Sequence, residues 1–276
     1  MYIFIGIVTL LLVILCNERG RVHRLQREIL SMQSYTLFNN DTKDDTKTKE
    51  SDFKLNGIFE IHITIDPYDN YVLLLNFVMQ YQTSKKMKIV LAATSVKNNQ
   101  YMISYFTRKD DDALAVRNAF TIAKEMTSIG LHVVRIKIEG HNVQGTPMTK
   151  DEFYFVEKYL NKKYNNSNGK LYFEFHVKIA NKKNAIFDYI ELEQVIKKFS
   201  GDSQTKIGVS YNLCGSSIEK KPLLTIRVFD DGFNGAQAYK DTVMNSMKKQ
   251  GYIFEDKIQQ EFSIYDSCTT LDDGWL

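Results

Sequence analysis

Two stretches of this chain alternate with a period of two residues. They are Phe59-Glu60-Ile61-His62-Ile63-Thr64-Ile65 and, 114 positions later, Phe173-Glu174-Phe175-His176-Val177-Lys178-Ile179. Apolar residues at the odd places and polar ones at the even places describe a strand with one buried face. Side chains two apart on a strand leave from the same side. Glu60, His62 and Thr64 therefore share one face, and Glu174, His176 and Lys178 share the equivalent face of the second stretch.

The echo extends beyond these strands. Met87-Lys88-Ile89-Val90 returns as Thr205-Lys206-Ile207-Gly208, Arg108-Lys109-Asp110-Asp111 resembles Phe229-Asp230-Asp231, and Gly130 matches Gly251. Similar segments kept in order at a slowly drifting offset read as an internal duplication. In the first copy the pattern gives a strand over 59–66 broken by Pro67, a helix over 70–82, and a hairpin of strands 88–96 and 101–108. A helix capped by Asp110 to Asp112 and stopped by Gly130 follows, then a strand over 131–139. The second copy gives strands 171–180, 206–213 and 223–229, helices 188–199 and 236–249, and two competing final strands, 252–254 and 261–265. Between the copies lies a short helix (151–160) and a loop rich in Asn and Lys.

Each copy thus reads βαββαβ, the ferredoxin-like order, in which both helices pack on one face of an antiparallel sheet. The expected fold class is α+β, with two tandem ferredoxin-like modules over 58–141 and 171–276 joined by residues 142–170. In this arrangement the apolar face of each first strand meets the helices. Val134, Ile136 and Ile138 point the same way, which leaves Arg135, Lys137 and Glu139 beside Glu60, His62 and Thr64 on an open, helix-free surface. Glu60, Glu174, Arg135 and Lys137 are accordingly the expected ligand-binding residues.

Ahead of the modules, residues 1–16 are apolar apart from Gly6 and Thr9, and Arg19, Arg21, Arg24 and Arg27 follow. This reads as a transmembrane anchor over 1–18, slightly shorter than the roughly 20 residues of an average span. A cleaved signal peptide would call for a basic start and small residues before the cut, which are missing; a segment buried in a partner is a third reading. Arginines on the C-terminal side place the bulk of a single-pass membrane protein in the cytoplasm. Val22, Leu25, Ile29 and Met32 continue as an amphipathic helix, either a stalk or a helix lying on the membrane or its own domain. Residues 39–57 then lose all periodicity and read as a disordered linker.

His62-Ile63-Thr64-Ile65 is similar to the H-x-T-x signature of the 2H phosphoesterase family. The resemblance covers two tetrads, and Lys178 stands where the second hydroxyl belongs. It implies a two-lobed enzyme acting on a cyclic or RNA-end phosphate. His62 and His176 would serve as base and acid, with Thr64 and Lys178 holding phosphate oxygens. The same residues also fit a merely solvated or packing face inherited by both copies. The leading expectation is a membrane-anchored protein with a non-catalytic binding role, and the phosphodiesterase is the alternative.

Other chemistries lack a signal. A net charge of +3 and the absence of aromatics from the exposed face make nucleic acid an unlikely partner. A phosphate-bearing ligand or a protein, together with the membrane through residues 1–16, are the expected partners. No Gly-rich phosphate loop or nucleophile elbow occurs. Three cysteines and five scattered histidines give no metal-ligand spacing, so neither metal nor cofactor is expected. Abundant Asn, Lys and Ile resemble coding from AT-rich genomes such as those of large DNA viruses.

Overall fold

The computed structural model describes residues 53–94, 99–107, 110–166, 169–182, 189–199, 204–213, 221–273 and 276. The expected anchor, stalk and most of the linker lie outside them. Among the described residues no helix is long and apolar enough to cross a membrane.

The first copy contains β1 (Asn56–Ile65), α1 (Tyr71–Lys85), β2 (Lys88–Thr94), β3 (Gln100–Phe106), a two-residue β4 (Asp110–Asp111), α2 (Asp112–Ser128) and β5 (Val133–Gln144). A linking helix, α3 (Lys150–Lys163), leads to β6 (Tyr172–Lys182), α4 (Tyr189–Lys197), β7 (Thr205–Asn212), β8 (Leu223–Phe229), α5 (Phe233–Lys249) and β9 (Tyr252–Asp266). A 3-10 turn at Thr269–Asp272 follows.

Local chemistry sets these boundaries. The Asn70 side chain caps α1 by accepting from the Val72 and Leu73 amides, and the Asp111 carboxylate accepts from the Leu114 amide at the start of α2. Thr149 and Glu152 form a reciprocal capping box on α3. Gly130 and Gly251 follow α2 and α5 at φ of 96° and 91°, a conformation that glycine adopts without strain. The expected split at the chain end is corrected: 252–254 and 261–265 are parts of one strand, β9. It twists past β6 with register shifts near Val177 and Ile179 rather than breaking.

Within the first copy the strand order is β2-β3-β1-β5, and within the second β7-β8-β6-β9. Both are the antiparallel order expected of a ferredoxin-like unit. Their edges do not stay free. β2 pairs with β7, Ala92 opposite Asn212, and β5 pairs with β9, Gly140 opposite Phe262. With β1 paired to β3, these two seams close β1, β3, β2, β7, β8, β6, β9 and β5 into an eight-stranded antiparallel barrel. Closure satisfies the ladder groups that each half-sheet would otherwise expose.

The apolar faces lie outside the barrel, beneath the helices. Phe59, Ile61 and Ile63 of β1 and Phe175, Val177 and Ile179 of β6 are fully buried there, with Leu74, Ala119, Val156, Leu192 and Val243 on the covering helices. The sequence-derived alternation is therefore correct, but its other half needs correction. Glu60, His62 and Thr64, with Glu174 and His176, do not form an open surface. The two polar faces are turned toward one another and line the barrel interior.

Candidate functional site

The interior is charged. Glu60, Glu139, Glu174, Glu261, Asp266 and Asp272 supply six buried carboxylates, against Arg135, Lys137 and Arg227 as buried permanent cations. The imidazoles of His62, His141 and His176 stand among them with side-chain exposures of 15%, 19% and 18%. Arg135 and Arg227 are only 4% and 2% exposed. Solvent therefore reaches the interior from the imidazole side. A cavity of about 220 Å³ runs through it, lined by Glu60, His62, Lys137, His176, Arg227 and Glu261 among others.

Strand register explains how these groups meet. On β1 and β5, Glu60 sits directly opposite Glu139; on β6 and β9, Glu174 sits directly opposite Glu261. These are corresponding places in the two copies. His62 faces Lys137 and His176 faces Gln259 one step further along. The β5–β9 seam then joins the two glutamate pairs into one cluster, Glu139 standing opposite Ser263.

On the guanidinium side the charges are matched. Arg135 donates from Nε to Asp266 Oδ1 at 2.9 Å and from Nη2 to Oδ2 at 2.5 Å, and the Tyr172 hydroxyl donates to the same Oδ2 at 2.7 Å. Arg227 donates from Nε to Glu174 Oε2 at 2.6 Å and lies 4.2 Å above the Tyr172 ring. Asp272, carried in by the final 3-10 turn, bridges both guanidiniums at 2.9 Å and 3.0 Å and accepts from Gln100 Nε2 at 2.8 Å. Burial alone would raise the Glu174 pKa, but Arg227 and Lys137 hold it well below the usual carboxylate range.

The imidazole side is built differently. His176 Nδ1 meets the Thr225 hydroxyl at 3.0 Å, while Nε2 lies 3.1 Å from Glu174 Oε1 and 3.4 Å from Glu261 Oε2. His141 Nε2 lies 3.3 Å from Glu60 Oε2 and 3.5 Å from Glu261 Oε1. His62 Nε2 lies 3.1 Å from Glu139 Oε2. Lys137 bridges Glu139 and Glu174 at 2.6 Å and 2.9 Å. Burial alone would depress the His176 pKa, but Glu261 and Glu174 outweigh it and raise it to about 10. Glu261 is raised by burial and by the neighbouring charge of Glu139, so it resists ionising beside its neighbours.

The structure thus brings together seven of the eight residues singled out from the sequence: Glu60, His62, Thr64, Arg135, Lys137, Glu174 and His176 all line the cavity. Lys178 does not join them. It is 58% exposed and reaches only Glu255, at 3.8 Å. Sequence reasoning missed Glu261, Arg227 and Asp272, and its strand over 131–139 stopped short of His141, which lies within β5 opposite Ile58. Glu261 carried one signal in the sequence, its place in the alternation Gln259, Glu261, Ser263.

Among known proteins, no protein-family model matches the chain, and no curated protein matches it. Solved structures do. One is a double mutant of chlorite dismutase from Candidatus Nitrospira defluvii, at 8% identity and a TM-score of 0.28, over 75% of this chain and 92% of that one. Another is chlorite dismutase from the same organism in complex with imidazole, at 10% identity and a TM-score of 0.28, over 75% and 91%.

Both functional expectations are corrected here. A non-catalytic binding surface required open polar faces, and those faces enclose an interior instead. A 2H-like phosphodiesterase required Lys178 beside His176, but Lys178 lies outside the cavity.

Proposed function

We propose that the barrel is the reaction chamber of an enzyme acting on a small polar molecule. The observation that carries this reading is the convergence of polar side chains from both copies on one cavity that opens on the imidazole side. A chamber of about 220 Å³ holds more than the roughly 150 Å³ cavity that accepts benzene, and less than a drug-sized pocket. Imidazoles held by carboxylates are suited to positioning a reacting group and moving its proton, and burial strengthens every electrostatic interaction there. The guanidinium side, internally neutralised, acts as scaffold. In the same proposal the apolar run 1–16, with its trailing arginines, tethers the chamber to the cytoplasmic side of a membrane.

The test works with the substrate unidentified. The protein is incubated with a small-molecule extract and depletion is followed by mass spectrometry. The expected result is consumption of one or a few compounds, slowed about 100-fold or more in Glu261→Gln and His176→Ala. If no compound is consumed faster by the wild type than by both variants, the chamber is not catalytic.

A further inference from the structure

The glutamate cluster has a feature that the acid–base reading leaves unexplained. Glu60–Glu139 and Glu174–Glu261 are like charges directly opposite one another on paired strands, an arrangement that destabilises a sheet. Here it occurs twice, at corresponding places in both copies, and all four carboxylates are at most 3% exposed. Six interior carboxylates face four permanent cations, the buried Arg135, Lys137 and Arg227 and the half-exposed Lys88, whose Nζ lies 3.5 Å from Glu60. Ion pairs of this kind are stable only when the buried charge is matched. On the imidazole side that match falls to exchangeable cations: protons on the imidazoles, or metal ions that take their place.

The donor atoms there have a definite spacing. Around one ion with bonds of about 2.1 Å, neighbouring donors stand about 3.0 Å apart in an octahedron and about 3.4 Å apart in a tetrahedron. His176 Nε2 stands 3.1 Å from Glu174 and 3.4 Å from Glu261; His141 Nε2 stands 3.3 Å from Glu60 and 3.5 Å from Glu261. Within each trio, Glu60-His141-Glu261 and Glu174-His176-Glu261, the donor atoms all lie within 4.8 Å of one another. The two trios share Glu261 and use different oxygens of it, Oε1 toward His141 and Oε2 toward His176. Glu261 is 1% exposed at its side chain, and its Oε2 makes no well-formed hydrogen bond, His176 Nε2 standing at 3.4 Å. When the Nδ1 of His176 donates to Thr225, its Nε2 lone pair is directed at the same space, which is how a metal-binding imidazole is commonly oriented.

We infer that the imidazole side of the barrel binds two divalent transition-metal ions bridged by Glu261, one held with Glu60 and His141 and the other with Glu174 and His176. Nitrogen and carboxylate donors without thiolate suit manganese, iron, cobalt or zinc. Glu139 and His62 border the pair, with His62 Nδ1 buried and without a hydrogen-bond partner. The inference takes its location from the chamber reading, but its test is metal binding measured without turnover, so either can fail alone.

Metal-free full-length protein is titrated with Zn²⁺ for stoichiometry and with Mn²⁺ for electron paramagnetic resonance. Two ions are expected per chain, with the Mn²⁺ spectrum showing the exchange coupling of neighbouring ions. His141→Ala and His176→Ala should each remove one ion. Glu261→Gln should weaken binding by at least about tenfold and abolish the coupling. Circular dichroism of each variant separates loss of ligands from loss of fold, and with three variants one folded protein suffices for the comparison. Wild type that binds one ion or none overturns the inference, as does a coupled pair that persists in folded Glu261→Gln.

Discussion

Single residues in this molecule are judged by the neighbour that neutralises them. Asp266 illustrates the point. Burial would raise its pKa, but Arg135 and Arg227, with the Tyr172 hydroxyl, keep it below the ordinary aspartate value. Asp272 is held low by the same two arginines and by Gln100. A carboxylate whose pKa is lower folded than unfolded adds stability that is complete above the unfolded value, about 3.9, and is lost as the pH falls toward the folded one. The wild type should therefore lose thermal stability progressively below about pH 5. Asp266→Asn leaves Arg135 short of its principal partner and should cost about 3–5 kcal/mol at neutral pH. It should also show a shallower decline between neutral and acid pH. Melting temperatures at pH 7 and in acid check both, and an unchanged acid slope would count against the pairing. None of this was legible in the sequence at the level of the residue, because Asp266 lies 131 positions from Arg135 and nothing local marks it as a partner.

At the scale of the element, the β1–β5 ladder is tightest where two glycines face one valine. A Cβ on Gly57 would stand 2.6 Å from Val143 Cγ1 and 3.0 Å from the Val143 Cα, and one on Gly140 would stand 2.8 Å and 2.9 Å from the two Val143 methyls. Gly140→Ala and Gly57→Ala should each destabilise the protein by about 1–3 kcal/mol through overpacking. Val143→Ala in the same chain should relieve most of the cost at Gly140, where only methyls clash. It should relieve less at Gly57, where the valine backbone is also close. Chemical denaturation of the singles and doubles reads this directly, and additive costs at Gly140 would refute the contact. The elements themselves were largely visible in the sequence. Period-two alternation identified β1 and β6, apolar residues on one face identified α1, and the acidic cap and terminal Gly130 identified α2. Alternation could not reveal what the polar half of a strand faces, since water and a charged barrel interior ask for the same residue types. β9 escaped for a related reason: with Glu255, Asp256 and Lys257 in its middle it reads as two short strands around a loop, although pairing to β6 carries it through.

For the whole molecule, the two copies are one object. Each duplicates the other's strand order, yet the seams β2–β7 and β5–β9 leave neither with a free edge, and the interior charges are matched across the copies, as with Lys137 and Glu174. Unfolding should be a single transition. Hydrogen exchange of amides in β1 and β6 should report the same opening free energy, and denaturation followed in each copy should superimpose. Two separable transitions would mean that the seams contribute little. The matching strand orders were legible in the sequence but their closure was not, because pairings such as Ala92 with Asn212 join positions too distant for any local pattern to register. The place of β9 in the ring has a further effect during synthesis. It lies between β5 and β6, so the strand made last is inserted in the middle. Until then the nascent chain holds two incomplete sheets with bare edges and a ring of glutamates open to water. The barrel can close only after β9 has left the ribosome, and that interval is when the chain depends most on chaperones.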